Sequence, residues 1–518
     1  MILEGVRVVE LAGDIAGPYV GKLFADAGAD VVKVEPAAGD QLRRWRSGAL
    51  FDFLNTSKRS VVGGIEDEEI FELCCAADVV VEEGRPGAFP LDAVHARNAQ
   101  LVVVSITPYG QTGPWAGRPA TEFTLQAWCG STGGRGMPER PPLAAGGRIG
   151  EWVAGAYAGV AALAALTAAQ RDGVGEHVDV AWLDAMCLSM NTYTSVFAEL
   201  SGWPPLPRPT RTVEIPSIEL TADGYVSFTT NSHQQFHDFL TLIERPDKAD
   251  DEDLFNALSR FKRRDEAWEM IRAYTRVRST AELLERATLL RVPCGPVGNG
   301  AAVTGFDQFV ERGVFVENPK RRFVQPRVPY RISGVASRPL APAPGVGEHD
   351  GAIDWTPRAE TTARSVEGAR PLPLAGMRVL DCTAWWAGPA AGHALACLGA
   401  DVIKVESTKR PDLMRYTSVH RPGTDQWWEY GPLFHGANNN KRAITLDLTQ
   451  AEGRDLLLAL LASADVILDN FTPRVMENFG LTWDVVHAAN RRDVHIDESR
   501  KFESSSANPQ MDTRPANR

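Results

Sequence analysis

A single carboxylate, Glu151, stands where a glycine-rich stretch meets a long apolar helix pattern. Gly146, Gly147 and Gly150 lead into it, and residues 152–169 are almost entirely Ala, Leu, Val, Gly and aromatic. A helix that is apolar on nearly every face is predicted to be buried. Its first turn carries unpaired backbone amides and the positive end of the helix dipole. These surroundings favour a reactive carboxylate, although an acid in a first helical turn is more often a simple capping residue.

The elements that position Glu151 follow from the flanking sequence. Gly173 is predicted to end the helix, and residues 177–183 alternate Val and Trp with polar residues, as a strand does. At the start of the chain, residues 5–11 and 30–35 are predicted strands that flank a helix beginning near Pro18. This is a βαβ unit whose turn points at a helix N-terminus, which is a suitable place to hold a phosphate.

A nicotinamide-binding fold is the first alternative for this unit. Glu35 ends the second strand, where such enzymes place an acid that binds the ribose. However, Gly13, Gly17 and Gly21 are spaced by four residues and do not form the Gly-x-Gly-x-x-Gly fingerprint. The spacing therefore argues against a dinucleotide site.

Length and charge limit the classes of function. A chain of 518 residues is too long for one core and predicts two or more domains. The formal charge of −12 argues against a nucleic-acid partner. Because no apolar run, including the Ala-rich residues 153–169, approaches the length of a spanning helix, we expect no membrane association. Because the first residues already form a predicted strand, we expect no signal peptide. The seven cysteines are scattered along the chain, which predicts reduced thiols in the cytoplasm.

The βαβ unit occurs twice. Residues 376–382 and 399–406 repeat the first two strands, and Gly5 with Gly376, like Glu35 with Glu406, is a pair 371 positions apart. The pattern indicates a tandem duplication. The second copy lacks any counterpart of Glu151 and of the helix that follows it.

These motifs resemble the class III CoA-transferase family, the CaiB/BaiF group that includes formyl-CoA transferase, carnitine CoA-transferase and α-methylacyl-CoA racemase. The resemblance rests on the glycine-flanked acid, the Ala-rich helix after it, the Gly-x-Gly turn at Gly173 and Gly175, and the strand that follows. The family's catalytic acid is an aspartate, and Glu151 takes its place here. The resemblance implies an α/β fold: a Rossmann-like large domain with a parallel sheet, a small α/β domain, and a partial second Rossmann-like module.

The resemblance also implies domain boundaries. We expect the large domain at 1–217, the small domain at 218–320 and a return to the large domain at 321–337. A Pro-, Ala- and Gly-rich linker is expected at 338–372, a truncated second module at 373–490 and a disordered tail at 491–518.

The resemblance implies an acyl-CoA:carboxylate CoA-transferase, with Glu151 as the nucleophile of a covalent anhydride and thioester intermediate. Glu122 stands where the transferases carry an acid, although a surface acid is an equally good interpretation. The family's CoA contacts map to Ile15, Ala16, Arg85, Trp386, Ala387, Asp447, Asn470 and Phe471. No permanently bound cofactor or metal is expected, only CoA esters and a carboxylic acid acceptor as substrates.

Two alternatives stay open. Racemases of the family use a His–Asp pair, but Thr121 stands at the histidine position, and a hydroxyl is a poor base near neutral pH. A catalytically silent subunit that binds CoA esters or pairs with another chain is the other alternative, because Glu151 replaces an aspartate. Family members are interlocked homodimers, so we expect either such a dimer or a pseudo-dimer within one chain.

Overall fold

The computed structural model describes residues 1–133, 135–136, 139–190, 214–230, 232–321, 323–358, 370–417, 425–490 and 494–497.

The first sheet has six parallel strands in the order β3-β2-β1-β4-β5-β6. The strands are β1 (Arg7–Leu11), β2 (Asp30–Glu35), β3 (Arg59–Val62), β4 (Val79–Glu82), β5 (Val102–Thr107) and β6 (His177–Ala181). Valine-rich strands such as β4 and β5 are buried on both faces because helices cover both sides of the sheet. The strand order reverses between β1 and β4, so the loops after these two strands border a crevice at the carboxyl edge.

Seven helices accompany this sheet among the described residues. They are α1 (Ala16–Asp26), α2 (Ala49–Leu54), α3 (Glu68–Cys75), α4 (Leu91–Arg97), α5 (Glu122–Trp128), α6 (Ile149–Asp172) and α7 (Trp182–Met190). Strand β6 is shorter than predicted, since α7 begins at Trp182. Helix α6 packs closely on α1, where a Cβ on Gly155 would stand 2.6 Å from the carbonyl oxygen of Ala16.

Helix α6 ends at Gly173 as the sequence predicts, but it is less buried than expected. It has 24 residues and is the one helix in the described part of the chain that is long and apolar enough to span a membrane, so the expectation that no apolar run approaches that length was wrong. More than half of the apolar window of α6 is buried inside the protein. The expectation of burial on every face was wrong for one stripe, where Val160 and Leu163 are 41% and 39% exposed.

A smaller unit follows the first sheet. Its antiparallel sheet consists of β7 (Ile218–Leu220), β8 (Tyr225–Phe228) and β9 (Cys294–Pro296). Its helices are α8 (His233–Leu242), α9 (Glu252–Phe255), α10 (Ala257–Lys262), α11 (Arg264–Thr275) and α12 (Thr280–Leu289). Phe236, Phe239 and Ile271 lie in its own hydrophobic core. Helix α13 (Asp307–Glu311) and an antiparallel hairpin of β10 (Phe315–Glu317) and β11 (Val324–Pro326) come next.

Residues 338–358 pack on the first sheet instead of forming the expected linker. The Arg338 guanidinium donates to the carbonyl oxygens of Ala25 and Ala29, each at 2.9 Å. The Trp355 ring nitrogen donates to Asp30 at 2.8 Å. A Pro- and Gly-rich composition predicts irregular backbone, but irregular backbone can still be held by specific hydrogen bonds. The rest of the expected linker, 359–369, lies outside the described residues.

The second sheet repeats the strand order of the first. Its five parallel strands run β14-β13-β12-β15-β16, with bounds β12 (Arg378–Asp381), β13 (Asp401–Glu406), β14 (Arg442–Thr445), β15 (Val466–Asp469) and β16 (Val494–Asp497). Its helices are α14 (Ala387–Cys397), α15 (Pro432–Asn438), α16 (Ala451–Leu461), α17 (Pro473–Asn478) and α18 (Trp483–Ala489). The expectation of disorder from residue 491 was wrong for β16, which pairs with β15 as β5 pairs with β4. Residues 498–518 lie outside the described part of the chain.

Both sheets carry the same buried ion pairs. In the first, the Lys58 ammonium lies 2.6 Å from a Glu10 carboxylate oxygen and also donates to the Pro18 carbonyl at 2.8 Å. In the second, Lys441 lies 2.7 Å from Asp381 and donates to the Pro389 carbonyl at 2.7 Å. The sequence around either lysine does not reveal which carboxylate it pairs with. Because the two lysines pair with carboxylates at matching positions of the two sheets, we infer that both sheets share one packing plan.

The two sheets meet along the C-terminal half of α6. Ala164 belongs to the same apolar cluster as Leu374 and Val379 of the second unit. The Arg171 guanidinium donates to the Pro373 carbonyl at 3.2 Å, just before β12 begins. Arg171 is twenty residues from Glu151, about 30 Å along a helix that rises 1.5 Å per residue.

Candidate active site

Glu151 lies in the first turn of α6 with its side chain 1% exposed. Burial raises the pKa of this carboxyl to about 7, against the opposing effect of the Arg148 guanidinium. Asp14 and Glu122 raise the pKa of Glu151 further, since each carboxylate repels a second negative charge. The residue is therefore partly protonated at neutral pH and is not a solvated capping acid.

Arg148 binds both carboxylate oxygens of Glu151. Its Nε and Nη2 atoms donate to Glu151 Oε1 and Oε2, each at 2.7 Å, which is the fork geometry that guanidinium favours. Arg148 precedes the helix in a left-handed conformation, with φ of 54°, directly after Gly147 at 78°. This bend turns its side chain back toward Glu151, and the Arg148 side chain is 33% exposed, whereas the Glu151 side chain is 1% exposed.

Asp14 connects this pair to the crevice of the first sheet. Its Oδ1 atom accepts from Arg148 Nη2 and from Gln41 Nε2, each at 2.8 Å. Gln41 lines an open groove of about 480 Å³ at the carboxyl ends of β1 and β2, together with residues 11–13 and 33–36. A polar path of three contacts thus runs from this groove to Glu151.

Glu122 is 8% exposed at the start of α5, so its interpretation as a surface acid was wrong. Its Oε1 atom accepts from the Gly150 amide at 3.0 Å and from Gln126 Nε2 at 2.7 Å. Gln126 in turn donates to the carbonyl oxygen of Ala145 at 2.9 Å. Glu122 therefore fixes the glycine-rich entry to α6. It also occupies the Gly150 amide, which is then not available to an oxyanion.

Glu83 bridges the point where the strand order reverses. It follows β4, and its carboxylate accepts from the Gly17 amide at 2.8 Å and the Gly13 amide at 3.1 Å. Burial raises the pKa of Glu83 to about 8, although the Gly17 hydrogen bond opposes that shift. The carboxyl group of Glu83 thus occupies the N-terminus of α1, where the sequence predicted a site for a phosphate.

The remaining first-module candidates lie around the same crevice. Ile15 and Ala16 are 1% and 0% exposed at the start of α1, next to Asp14, so neither residue presents a surface to a ligand in this structure. Arg85 is exposed on the loop after β4. Glu35 does not resemble a free ribose-binding acid, since it accepts from Arg43 Nε at 2.7 Å and from the Ser60 hydroxyl at 2.6 Å.

The second-module candidates gather at the carboxyl edge of the second sheet. Trp386 and the exposed Ala387 begin α14, and Phe471 follows β15. The Asn470 side chain accepts from the Ala384 amide at 2.9 Å and donates to its carbonyl at 2.7 Å. Asp447 lies 2.6 Å from the Lys409 ammonium. This edge is the opposite end of the strands from the contact between Arg171 and Pro373.

Sequence reasoning missed three residues of the site: Arg148, Asp14 and Glu83. Each stands beside a glycine in a loop that follows or precedes a predicted element. That adjacency was a usable signal, because glycine next to a charged residue at a helix start places the charge near unpaired amides. Thr121, the position of the racemase histidine, caps α5 through a hydrogen bond from the Thr124 amide at 3.3 Å.

Comparison with known sequences identifies relatives over most of the chain. It is 30% identical over 378 residues to a succinate–glutarate CoA-transferase of Agrobacterium fabrum, covering 68% of this chain and 94% of that protein. It is 28% identical over 507 residues to the probable CoA-transferase Rv1866 of Mycobacterium tuberculosis. That match covers 92% of this chain but only 62% of the length of Rv1866.

A solved structure agrees with the fold. A CAIB/BAIF family protein from Brucella suis superimposes with a TM-score of 0.59 and 30% identity, over 68% of this chain and 97% of that one. The sequence model of CoA-transferase family III matches residues 3–350 and again residues 374–499. These two segments contain the first and the second parallel sheet. The chain therefore belongs to CoA-transferase family III.

Proposed function

We propose that this chain transfers CoA from an acyl-CoA to a carboxylic acid, with Glu151 as the covalent nucleophile. The proposal rests on the buried carboxylate of Glu151, which lies in the first turn of α6 and has a pKa of about 7. Hydrogen bonds through Arg148 and Asp14 connect this carboxylate to an open groove. Desolvation makes an ionised carboxylate more reactive because it removes the hydrogen bonds of water from the attacking oxygen. The groove has the size of a small-molecule site.

The chemistry needs a side chain that can become an anhydride and then a thioester. An oxygen of Glu151 attacks the acyl-CoA carbonyl carbon, the carbon–sulfur bond breaks, and CoA leaves as thiolate. The thiolate attacks the Glu151 carbonyl carbon, which releases the donor acid as a carboxylate and leaves a glutamyl-CoA thioester. The acceptor carboxylate then attacks that thioester, and the thiolate returns to the acceptor carbonyl, which restores the Glu151 carboxylate. The amides of Gly146 and Gly147 are the backbone donors that we assign to the oxyanions.

The test is to trap the acyl-enzyme. The protein is incubated with a panel of acyl-CoAs, beginning with succinyl-CoA because a relative's name includes succinate. Hydroxylamine or borohydride then marks the activated carbonyl, and peptide mass spectrometry locates the label. We expect the label on Glu151 and its loss in Glu151→Gln, with no loss in the exposed control Glu68→Gln. A label elsewhere, or no label with any acyl-CoA, contradicts the proposal.

A silent CoA-ester-binding or pairing subunit is the second candidate. It is favoured by one observation, the engagement of both Glu151 oxygens by Arg148. Acyl-CoA binding without any label supports this candidate over the first. Racemisation is a weaker third possibility, because Thr121 serves as a helix cap and supplies no base near neutral pH.

We also propose that the second module supplies CoA contacts. Trp386, Ala387, Asp447, Asn470 and Phe471 share one sheet edge, and their motifs match the family better than those of the first copy. This arrangement requires that edge to face the groove beside Glu151, in this chain or in a second copy. If single substitutions at Asn470 and Phe471 leave CoA-ester binding unchanged, this role is wrong.

The matched ion pairs Lys58–Glu10 and Lys441–Asp381 support a tandem duplication. We also propose a large domain at 1–217, a small domain at 218–320 and a return to the large domain at 321–337. The exposed stripe of Val160 and Leu163 on α6 supports an interlocked homodimer or an intrachain pseudo-dimer. Scattered free cysteines support a cytoplasmic protein. Light scattering of the purified chain distinguishes the dimer from the pseudo-dimer.

A further inference from the structure

We propose that Arg148 binds the carboxylate of the acceptor acid, and that Glu151 occupies this arginine until Glu151 itself is acylated. The inference rests on the proposed nucleophilic role of Glu151 and adds the residue that recognises the second substrate. The Arg148 side chain is 33% exposed, and its planar guanidinium binds the carboxylate of Glu151, whose side chain is 1% exposed. A guanidinium that already binds one carboxylate through two parallel hydrogen bonds has the geometry to bind another in the same place.

The charge balance of the site determines when this exchange can occur. Arg148 contacts two carboxylates, Glu151 and Asp14, and Glu122 lies close enough to Glu151 to repel its charge. A third carboxylate entering from solvent would meet a site that is already negative overall. Acylation makes the Glu151 side chain neutral, so Arg148 loses one ionic partner at the moment when the acceptor must bind.

Asp14 keeps the arginine in place during the exchange. Nη2 of Arg148 donates to Asp14 as well as to Glu151, and Gln41 holds the same Asp14 oxygen. Nη1 has no hydrogen-bond partner within the described residues, so it can donate to an incoming ligand. The loop before Arg148 has room to adjust, because a Cβ on Gly146 or Gly147 would meet nothing within 4 Å.

The step is the third one of the proposed cycle. The acceptor carboxylate, paired with Arg148, directs one oxygen at the carbonyl carbon of the glutamyl-CoA thioester. A carbon–oxygen bond forms, the carbon–sulfur bond breaks, and CoA leaves as thiolate. When the thiolate takes the acyl group, Glu151 regains its negative charge and its place on Arg148. The same exchange expels the product, because the arginine returns to its internal partner.

The first test measures binding and needs no turnover. Glu151→Gln is an uncharged substitute for the acylated residue, so it should release Arg148 without chemistry. Calorimetry with succinate, glutarate and benzoate should show at least tenfold tighter binding of one of these acids to Glu151→Gln than to the unaltered protein. The gain should disappear in Glu151→Gln/Arg148→Gln and persist in Glu151→Gln/Arg97→Gln, whose exposed arginine pairs with Glu72 far from the site. Near-UV circular dichroism confirms that each variant is folded.

The second test separates recognition from mere support of Glu151. In Arg148→Gln, transfer to the carboxylic acid should fall at least tenfold more than trapping of the acyl group by hydroxylamine, which is neutral and needs no guanidinium. An equal fall in both, or no gain in binding by Glu151→Gln with any of the three acids, overturns the inference. If the unaltered protein forms no acyl adduct while Glu151→Gln still gains affinity, the proposed function fails and the assignment of Arg148 as a carboxylate site stands.

Discussion

The rate of acylation should depend on pH with a midpoint near 7. Burial raises the pKa of Glu151 to about 7, and the Arg148 guanidinium limits that rise, while Asp14 and Glu122 add to it. Only the ionised carboxylate attacks a thioester. With this pKa the reactive fraction is roughly 9% at pH 6 and roughly 91% at pH 8, so the rate should rise about tenfold.

The assay is the release of CoA thiol from acyl-CoA in a single turnover, without acceptor acid, at a series of pH values. Arg148→Gln should move the midpoint upward, because the group that stabilises the charged form is removed. The exposed control Arg97→Gln should leave it in place. A rate that is constant from pH 6 to pH 8 would refute the reasoning, since it would mean that Glu151 keeps the ordinary pKa of a solvated acid.

Three further predictions concern stability. Glu83→Asn should flatten the pH dependence of stability: the folded protein holds a proton on Glu83 up to a pKa of about 8, against 4.5 when unfolded, so stability falls across that window by on the order of 4 kcal/mol. Urea unfolding at pH 5 and pH 8 checks this, and an unchanged difference between the two pH values contradicts it. Lys441→Met should cost about 3–5 kcal/mol, because it leaves the buried Asp381 carboxylate without its ion-pair partner, whereas Lys58→Met should cost less, because Lys33 still lies 3.0 Å from Glu10. Urea unfolding measures both, with exposed Lys262→Met as control, and an unchanged midpoint in either variant would argue against the shared packing plan. Gly155→Ala should destabilise the protein by about 1–3 kcal/mol through its contact with Ala16, whereas Gly305→Ala, which meets open space, should not; equal melting temperatures would count against the close packing of α1 and α6.

Much of the fold could be predicted from the sequence. Valine-rich runs at 5–11 and 30–35 became β1 and β2, and the same spacing 371 residues later became β12 and β13. Strand and helix preferences depend on neighbours within a few residues, so the printed sequence contains that information. The pairing of β16 with β15 was missed because a short strand beside polar residues has no clear pattern, and only an open sheet edge makes it a strand.

The sequence by itself determined the α/β class, the repeated βαβ unit and the position of Glu151 at the start of an apolar helix. Only the tertiary structure decided what surrounds that carboxylate. Asp14 reaches Arg148 across 134 positions, and Glu83 reaches Gly17 across 66. These contacts exist because the strand order brings the loops after β1 and β4 to one edge of the sheet. The residues around a charged side chain do not identify a partner that is distant in the sequence, so the partner is determined only when the sheet assembles.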